Sequence, residues 1–230
     1  GLDASVVKML ADQLAALRSR GCDVVLVSSG AIVAGLARLN LAERPHEVHL
    51  SQAAAAVGQS ALVRAYEEHL SPHGVTTAQI LLSHADVRAR DRYLNARSTL
   101  STLLAMNVLP IVNENDTVVT DEIRLGDNDT LAALVANLVD ADALLILTDQ
   151  DGLMDSDPRH AVDAQLIQTA DVHDSALDSM AGEGSALGRG GMATKLSAAR
   201  LAARSGTATI IAKGRQPDVI AQIAAGVPLG

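Results

Sequence analysis

Short aliphatic runs, each followed by a longer segment of helical periodicity, recur from one end of this chain to the other. The runs are VVLVS at 24–28, TAQILL at 77–82, LPIV at 109–112, ALLIL at 143–147 and TATIIA at 207–212. Runs of this kind suit strands covered on both faces. Between them, residues 3–20 carry Val6, Val7, Leu10, Leu14 and Leu17 at helical spacing, and Gly21 follows as a C-terminal cap. Further helices are predicted at 31–39, over the Ala-rich stretch 51–70 that Pro72 closes, and at 87–106, 129–139, 192–205 and 217–225. TVVTDEIRL at 117–125 predicts a β-hairpin or flap, and the Gly- and Asp-rich stretch 149–191 has little periodicity. Strands separated by helices pair in parallel, because the connection must cross over the sheet. The expected fold is therefore α/β: a three-layer α/β/α sandwich with a mostly parallel central sheet.

With 230 residues the chain is long enough for one large α/β domain or two small lobes, and needs no disulfide or metal to hold a core. Lys plus Arg number 18 against 27 Asp plus Glu, a net charge of −9. That balance argues against nucleic acid as a partner, which calls for a basic footprint. Aromatic residues are 1 % of the chain, Tyr66 and Tyr93, so no base-stacking platform is available either. Cys22 is the single cysteine, which points to a reducing, cytoplasmic setting. No apolar stretch approaches the roughly 20 residues that span a bilayer, and the first residues do not resemble a signal peptide. The histidines are scattered, only His46 and His49 lie close together, and no metal ligand set is expected.

In parallel α/β sheets, ligands bind at the C-terminal ends of the strands. The residues just past each strand are therefore the candidates, and the polar clusters there are expected to converge on one rim. Ser28-Ser29-Gly30-Ala31 joins the first run to a helix, where small residues let backbone N–H groups approach an anion. The same residues also suit a tight turn in which a serine caps the helix. NEND at 113–116 and GDND at 126–129 flank the hairpin, and place Asn113, Glu114, Asn115, Asp116, Asp127, Asn128 and Asp129 around it. Asn offers a donor and an acceptor and Asp offers acceptors only, the mixture a small zwitterion requires. A polar turn and a helix cap would use the same residue types. Thr148 and Asp149 end the fourth run, within TDQDGL, where Gly152 suits a turn with positive φ. LGRGGMATK at 187–195 is Gly-rich and runs into a helix with Lys195 in its first turn. Glycine loops at helix N-termini cradle phosphates, although neither the Walker A nor the dinucleotide spacing is present. A lysine there opposes the helix dipole, a cost that a bound anion would offset.

VVLVSSGAIVAG, SQAAAAVGQSALV, RDRYLNARSTL, LPIVNENDTVVTDEIRLGDNDTLAALVA, LLILTDQDGLMDSDPR and LGRGGMATKLSAA together resemble the glutamate 5-kinase (γ-glutamyl kinase) branch of the amino acid kinase superfamily. The resemblance covers nearly the whole chain, and the NEND…GDND pair separates this branch from kinases of carbamate, aspartate, acetylglutamate and UMP. It implies the amino acid kinase fold in a single domain over 1–230, with a glutamate-binding lobe at about 1–140 and a nucleotide-binding lobe at about 141–230. It implies phosphorylation of the γ-carboxylate of L-glutamate by ATP with Mg²⁺, the first step of proline biosynthesis, with proline as feedback inhibitor and a homo-oligomer, dimer or tetramer, as the assembly. By motif, Ser29, Gly30, Asn113, Asp116, Asp127 and Asn128 correspond to substrate-binding positions. Thr148, Asp149, Arg189, Gly190, Gly191, Met192, Ala193, Thr194 and Lys195 correspond to ATP contacts. Lys195 and Asp129 correspond to the catalytic pair, the aspartate orienting the lysine.

The chain departs from the branch at several places. The branch opens with a strand and a Lys-x-Gly-Thr-Ser loop that Gly1-Leu2-Asp3 does not match. Without that strand, poor folding and weak turnover are expected, and Lys213, at the end of TATIIA, is the nearest lysine to take its place. Ser51 stands where the branch has a lysine and Arg189 where it has a threonine, and the C-terminal PUA domain is not matched. A sister kinase acting on another carboxylate, or a binding module impaired in turnover, are the competing expectations.

Overall fold

A computed structural model describes residues 2–43, 45, 47–118, 128–156, 163–180 and 191–230. The chain divides into two compact units, Gly1–Leu125 and Gly126–Gly230. The predicted hairpin at 117–125, apart from its first two residues, and the start of the Gly-rich loop at 187–190 lie outside the described residues, as do Asp127, Arg189 and Gly190.

In the first unit, α1 (Ala4–Ser19) starts at Asp3, whose carboxylate accepts from the Ser5 and Val6 backbone N–H groups. It ends as expected at Gly21, which takes φ +85°. Three strands, β1 (Leu26–Val27), β2 (Thr76–Leu82) and β3 (Val108–Glu114), make a parallel sheet in the order β1-β3-β2. β1 is shorter than the run at 24–28, and pairs only with Ile111 and Val112. These residues follow Pro110, whose ring leaves no N–H for a ladder bond. β3 is longer than LPIV: Asn113 and Glu114 continue it, paired with Leu81 and Leu82 of β2. α2 (Ala31–Arg38) and the long α3 (Val48–Leu70) pack on one another, and Pro72 stands in a 3₁₀ turn directly after α3.

The helix expected at 87–106 is two helices, α4 (His84–Arg88) and α5 (Arg90–Ala105), separated by Ala89 in an extended conformation. α4 is set by a capping box. Asp86 accepts from the Ser83 backbone N–H at 2.7 Å and the Ser83 hydroxyl at 2.5 Å, and pairs with Arg92 of α5 at 3.1 Å. Partial burial would raise the Asp86 carboxyl, but the bonds from Ser83 and Arg92 outweigh it and hold the group below the ordinary carboxylate range. A depressed carboxyl adds stability that is present above its unfolded value and is lost as the pH falls through the folded one. Asp86→Ala is therefore expected to cost about 1 kcal/mol at neutral pH, as cap deletions do, and less as the pH drops below about 4. Chemical denaturation at pH 7 and pH 3 checks it; an equal loss at both would show that charge plays no part.

In the second unit, α6 (Asn128–Leu138) precedes β4 (Ala143–Thr148). After the 149–191 region come α8 (Met192–Ala203), β5 (Ala208–Lys213) and α9 (Val219–Ala224). The weakly periodic stretch contributes a bridge between Met154 and Leu166 and one short helix, α7 (Ala176–Met180). β4 and β5 pair in parallel over six residues, from Ala143↔Ala208 to Thr148↔Lys213. Ala133 and Ala136 of α6, Leu144 and Ile146 of β4, Ala198 and Ala202 of α8 and Ile211 of β5 form this unit's core. Small and branched aliphatic side chains fill it, as a chain with no Phe or Trp requires. Gly152 does not take positive φ. It is small for want of room: a Cβ there would lie 2.9 Å from the Cα of Gly230. The architecture is α/β with parallel sheets.

Candidate active site

At the C-terminal end of β1, Ser29 is exposed and Gly30 opens α2 in the left-handed conformation, φ +106°. No side chain caps this helix, so the serine-cap alternative is not realised. Ser28 lies instead against Tyr66, hydroxyl to hydroxyl at 3.4 Å, and donates to the Ser29 carbonyl. Burial pushes the Tyr66 phenol above its ordinary value, and the Ser28 contact offsets this only in part. Tyr66 thus acts as a neutral buried post beneath the loop.

At the end of β3, Asn113 is buried, 4 % exposed, and its amide donates to Gln59 Oε1 of α3 at 3.3 Å. Gln59, itself buried, donates in turn to the Glu114 carbonyl at 3.1 Å. The pair ties α3 to the last residues of β3. Asn115 and Thr117 shape the next turn, with the Thr117 hydroxyl on Asn115 Oδ1 at 2.5 Å and the Asn115 N–H on the Leu82 carbonyl at 2.8 Å. Asp116 sits half-buried in that turn. Sequence reasoning does not single out Gln59 or Tyr66. Gln59 lies within SQAAAAVGQS and Tyr66 is one of two tyrosines, but nothing local marks either as a partner of a strand end. Ser51, where a lysine was expected, is buried in α3, and its hydroxyl donates to the Pro45 carbonyl at 3.2 Å.

In the second unit, Asn128 and Asp129 begin α6, where carboxylates and amides suit the positive end of the helix dipole. Gly191 is the N-cap of α8, and Met192, Ala193, Thr194 and Lys195 form its first turn. Lys195 Nζ lies 2.9 Å from Asp129 Oδ2, with only 8 % and 17 % of the two side chains exposed. Thr194 donates to the same carboxylate oxygen at 3.3 Å and to the Gly191 carbonyl at 2.7 Å. The anion inferred to offset a lysine at a helix start is thus supplied from within the fold, by Asp129. The dipole alone no longer calls for a ligand. There remains a fixed ammonium in the first turn of α8, oriented by a carboxylate 66 residues earlier in the chain. At the end of β4, the Thr148 hydroxyl donates to Asp149 at 3.1 Å, and Asp149 is exposed. Among the described residues no group of three or more His, Cys, Asp or Glu could hold a metal ion, and no helix is long and apolar enough to cross a membrane.

Residues 1–213 match the amino acid kinase family. The chain belongs to it. The proteins most similar in sequence include the glutamate 5-kinase of Chromohalobacter salexigens, 61 % identical over 230 residues, with all of this chain and 61 % of that protein covered. The glutamate 5-kinase of Alcanivorax borkumensis is 60 % identical over 226 residues, covering 98 % of this chain and 60 % of its own length. This amino acid kinase family member thus spans about three-fifths of the length of the curated relatives it matches. Among solved structures, an isopentenyl phosphate kinase of T. acidophilum superposes with a TM-score of 0.62 at 17 % identity, over 99 % of this chain and 87 % of that one, a likeness of fold alone.

Proposed function

We propose that this chain carries glutamate 5-kinase chemistry, transferring the γ-phosphoryl group of ATP to the γ-carboxylate of L-glutamate at the entry to proline biosynthesis. The observation that carries it is the nearly buried Lys195–Asp129 pair at the head of α8, a positioned cation directly after the Gly-rich sequence LGRGG. The name shared by the relatives at 60–61 % identity selects the substrate.

The γ-carboxylate has an ordinary pKa of about 4.3, so at neutral pH it is already the nucleophile and needs no general base. One of its oxygens bonds to the γ-phosphorus as the bond to the bridging oxygen breaks, and ADP leaves with that electron pair. The products are γ-glutamyl phosphate and ADP. Catalysis is then positioning and charge neutralisation. Lys195, held in place by Asp129, meets the phosphoryl charge. Gly191, Met192 and Ala193, at the start of α8, offer backbone N–H groups to phosphates, and by motif Arg189, Gly190 and Thr194 belong to the same ATP-binding stretch. Thr148 and Asp149 are further ATP contacts. By motif, Ser29, Gly30, Asn113 and Asp116 of the first unit, and Asp127 and Asn128 of the second, correspond to the positions assigned to the amino acid, and their residue types offer both donors and acceptors. Mg²⁺ is characteristically held by phosphates with one or two carboxylates, so it would arrive with ATP. There it would neutralise phosphate charge, with Asp129 or Asp149 as the candidate protein ligand. A cytoplasmic setting, a dimer or tetramer, and inhibition by proline belong to the same proposal.

An ATP-dependent hydroxamate assay with L-glutamate tests it; product with aspartate or another carboxylate but not with glutamate would overturn it. Within that assay, Asp116→Ala and Asn128→Ala are each expected to raise the glutamate KM about tenfold or more, because each removes a hydrogen bond to a charged group. The ATP KM should stay within about twofold of the parent, since no phosphate contact is removed. Selective weakening of ATP instead would mean the two half-sites are assigned the wrong way round.

A further inference from the structure

β4 and β5 end level with one another. Thr148 and Lys213 are register partners, and the Gly214 N–H closes the ladder on the Thr148 carbonyl at 2.8 Å. Partners on adjacent strands send their side chains to the same face of a sheet. Lys213 therefore leaves the sheet beside Thr148, at the rim where ligands of parallel sheets bind. Its ammonium lies 2.7 Å from Asp151 Oδ1, three residues beyond the end of β4. This pair differs in kind from Lys195–Asp129. The Lys213 and Asp151 side chains are 45 % and 64 % exposed, against 8 % and 17 % for the buried pair. Exposed ion pairs contribute little to stability, and a six-residue ladder already joins the two strands. As a clasp the pair is superfluous. As a parked cation it has a use, because it offsets Asp149 and Asp151, which stand at the same end of β4 and would repel an incoming polyanion.

We propose that Lys213 is a second nucleotide-phosphate ligand, paired with Asp151 until nucleotide binds and then exchanging that carboxylate for a phosphate oxygen. This rests on the assignment of Thr148 and Asp149 to ATP. The exchange is downhill because a di- or triphosphate carries more charge than one carboxylate and accepts charge-assisted hydrogen bonds as readily. It also gives Asp151 a definite part: it competes with ATP for the lysine, so it weakens nucleotide binding while keeping Lys213 at the rim.

Competition separates this role from a structural one, because the two partners then act with opposite signs. Equilibrium titration of ATP, ADP and adenosine into the full chain and its variants, by calorimetry, measures it. Lys213→Ala is expected to weaken ATP about five- to tenfold, the loss of one charge-assisted bond at an exposed site, and adenosine by less than about twofold. Asp151→Asn is expected to tighten ATP about two- to threefold. Neither should shift the melting temperature by more than about 2 °C. A clasp would instead make both variants lose affinity and stability together. The proposal is overturned if Lys213→Ala leaves ATP binding unchanged, if it weakens adenosine as much as ATP, or if Asp151→Asn weakens ATP. If the parent chain binds ATP and the variants fail to diverge, only this inference falls. If the parent binds no ATP, the nucleotide assignment of Thr148 and Asp149 falls, and this inference with it.

Discussion

Lys195→Ala is expected to lower phosphoryl transfer to glutamate by about 10²–10³ while leaving glutamate affinity largely intact. Loss of one preorganised electrostatic partner of the developing charge typically costs that much. The same substitution strips Asp129 of its cation in a site where the carboxylate is only 17 % exposed. Breaking a buried pair by removing one member costs about 3–5 kcal/mol, a large share of a domain's total of about 5–15 kcal/mol. Activity and folding are separated by a second variant. Lys195→Ala with Asp129→Asn removes the stranded charge, so the melting temperature is expected to recover most of the loss while turnover does not. Single-turnover rates and thermal melts on the two variants make the measurement. Near-parental turnover in a folded Lys195→Ala chain would remove Lys195 from the chemistry, and turnover restored in the double variant would show that its part was only structural.

Gly58→Ala is expected to be among the most damaging single-methyl additions in the chain, at about 3 kcal/mol or more. A Cβ at Gly58 would sit 1.7 Å from the Ala31 carbonyl oxygen and 2.6 Å from the Gly35 nitrogen, backbone atoms that cannot rotate aside. Gly35 faces the reciprocal contact, 1.7 Å from the Ala54 carbonyl oxygen. α2 and α3 therefore touch backbone to backbone, and ordinary overpacking costs of about 1–3 kcal/mol are a lower bound. Gly21→Ala is the comparison. It has positive φ but nothing within 4 Å, so only the left-handed strain of about 1–2 kcal/mol applies. Denaturant melts should rank Gly58→Ala well below Gly21→Ala; equal losses would mean α2 and α3 part without cost. The contact bears on the proposed glutamate site because Gly30 is the N-cap of α2, and any shift of α2 moves Ser29 with it.

The order and kind of the elements were legible in the sequence because they depend on local periodicity. Aliphatic runs at 77–82, 109–112, 143–147 and 207–212 became parallel strands, and the Ala-rich stretch became α3. The departures also have local causes. Ala89, in an extended conformation, divides the helix predicted at 87–106, and a capping box at Ser83 and Asp86 starts its first part at His84; pairing with β2 carries β3 on through Asn113 and Glu114. The polar clusters, too, were visible as residue types at strand ends.

Which of those residues meet was decided only by the tertiary structure. Asn113 turns inward to Gln59, 54 positions away, and Lys195 finds Asp129 across 66. A glycine inside a helical pattern looks dispensable until a second helix brings its carbonyl to within a bond's length of the missing methyl, as at Gly35 and Gly58. The 3.6- and 2-residue periods of a sequence state which face of an element avoids water, because that is a property of the element alone. They do not state what the face lies against. That depends on how helices seat on a sheet, and the identity of a polar partner is settled there, where each buried donor must find its acceptor.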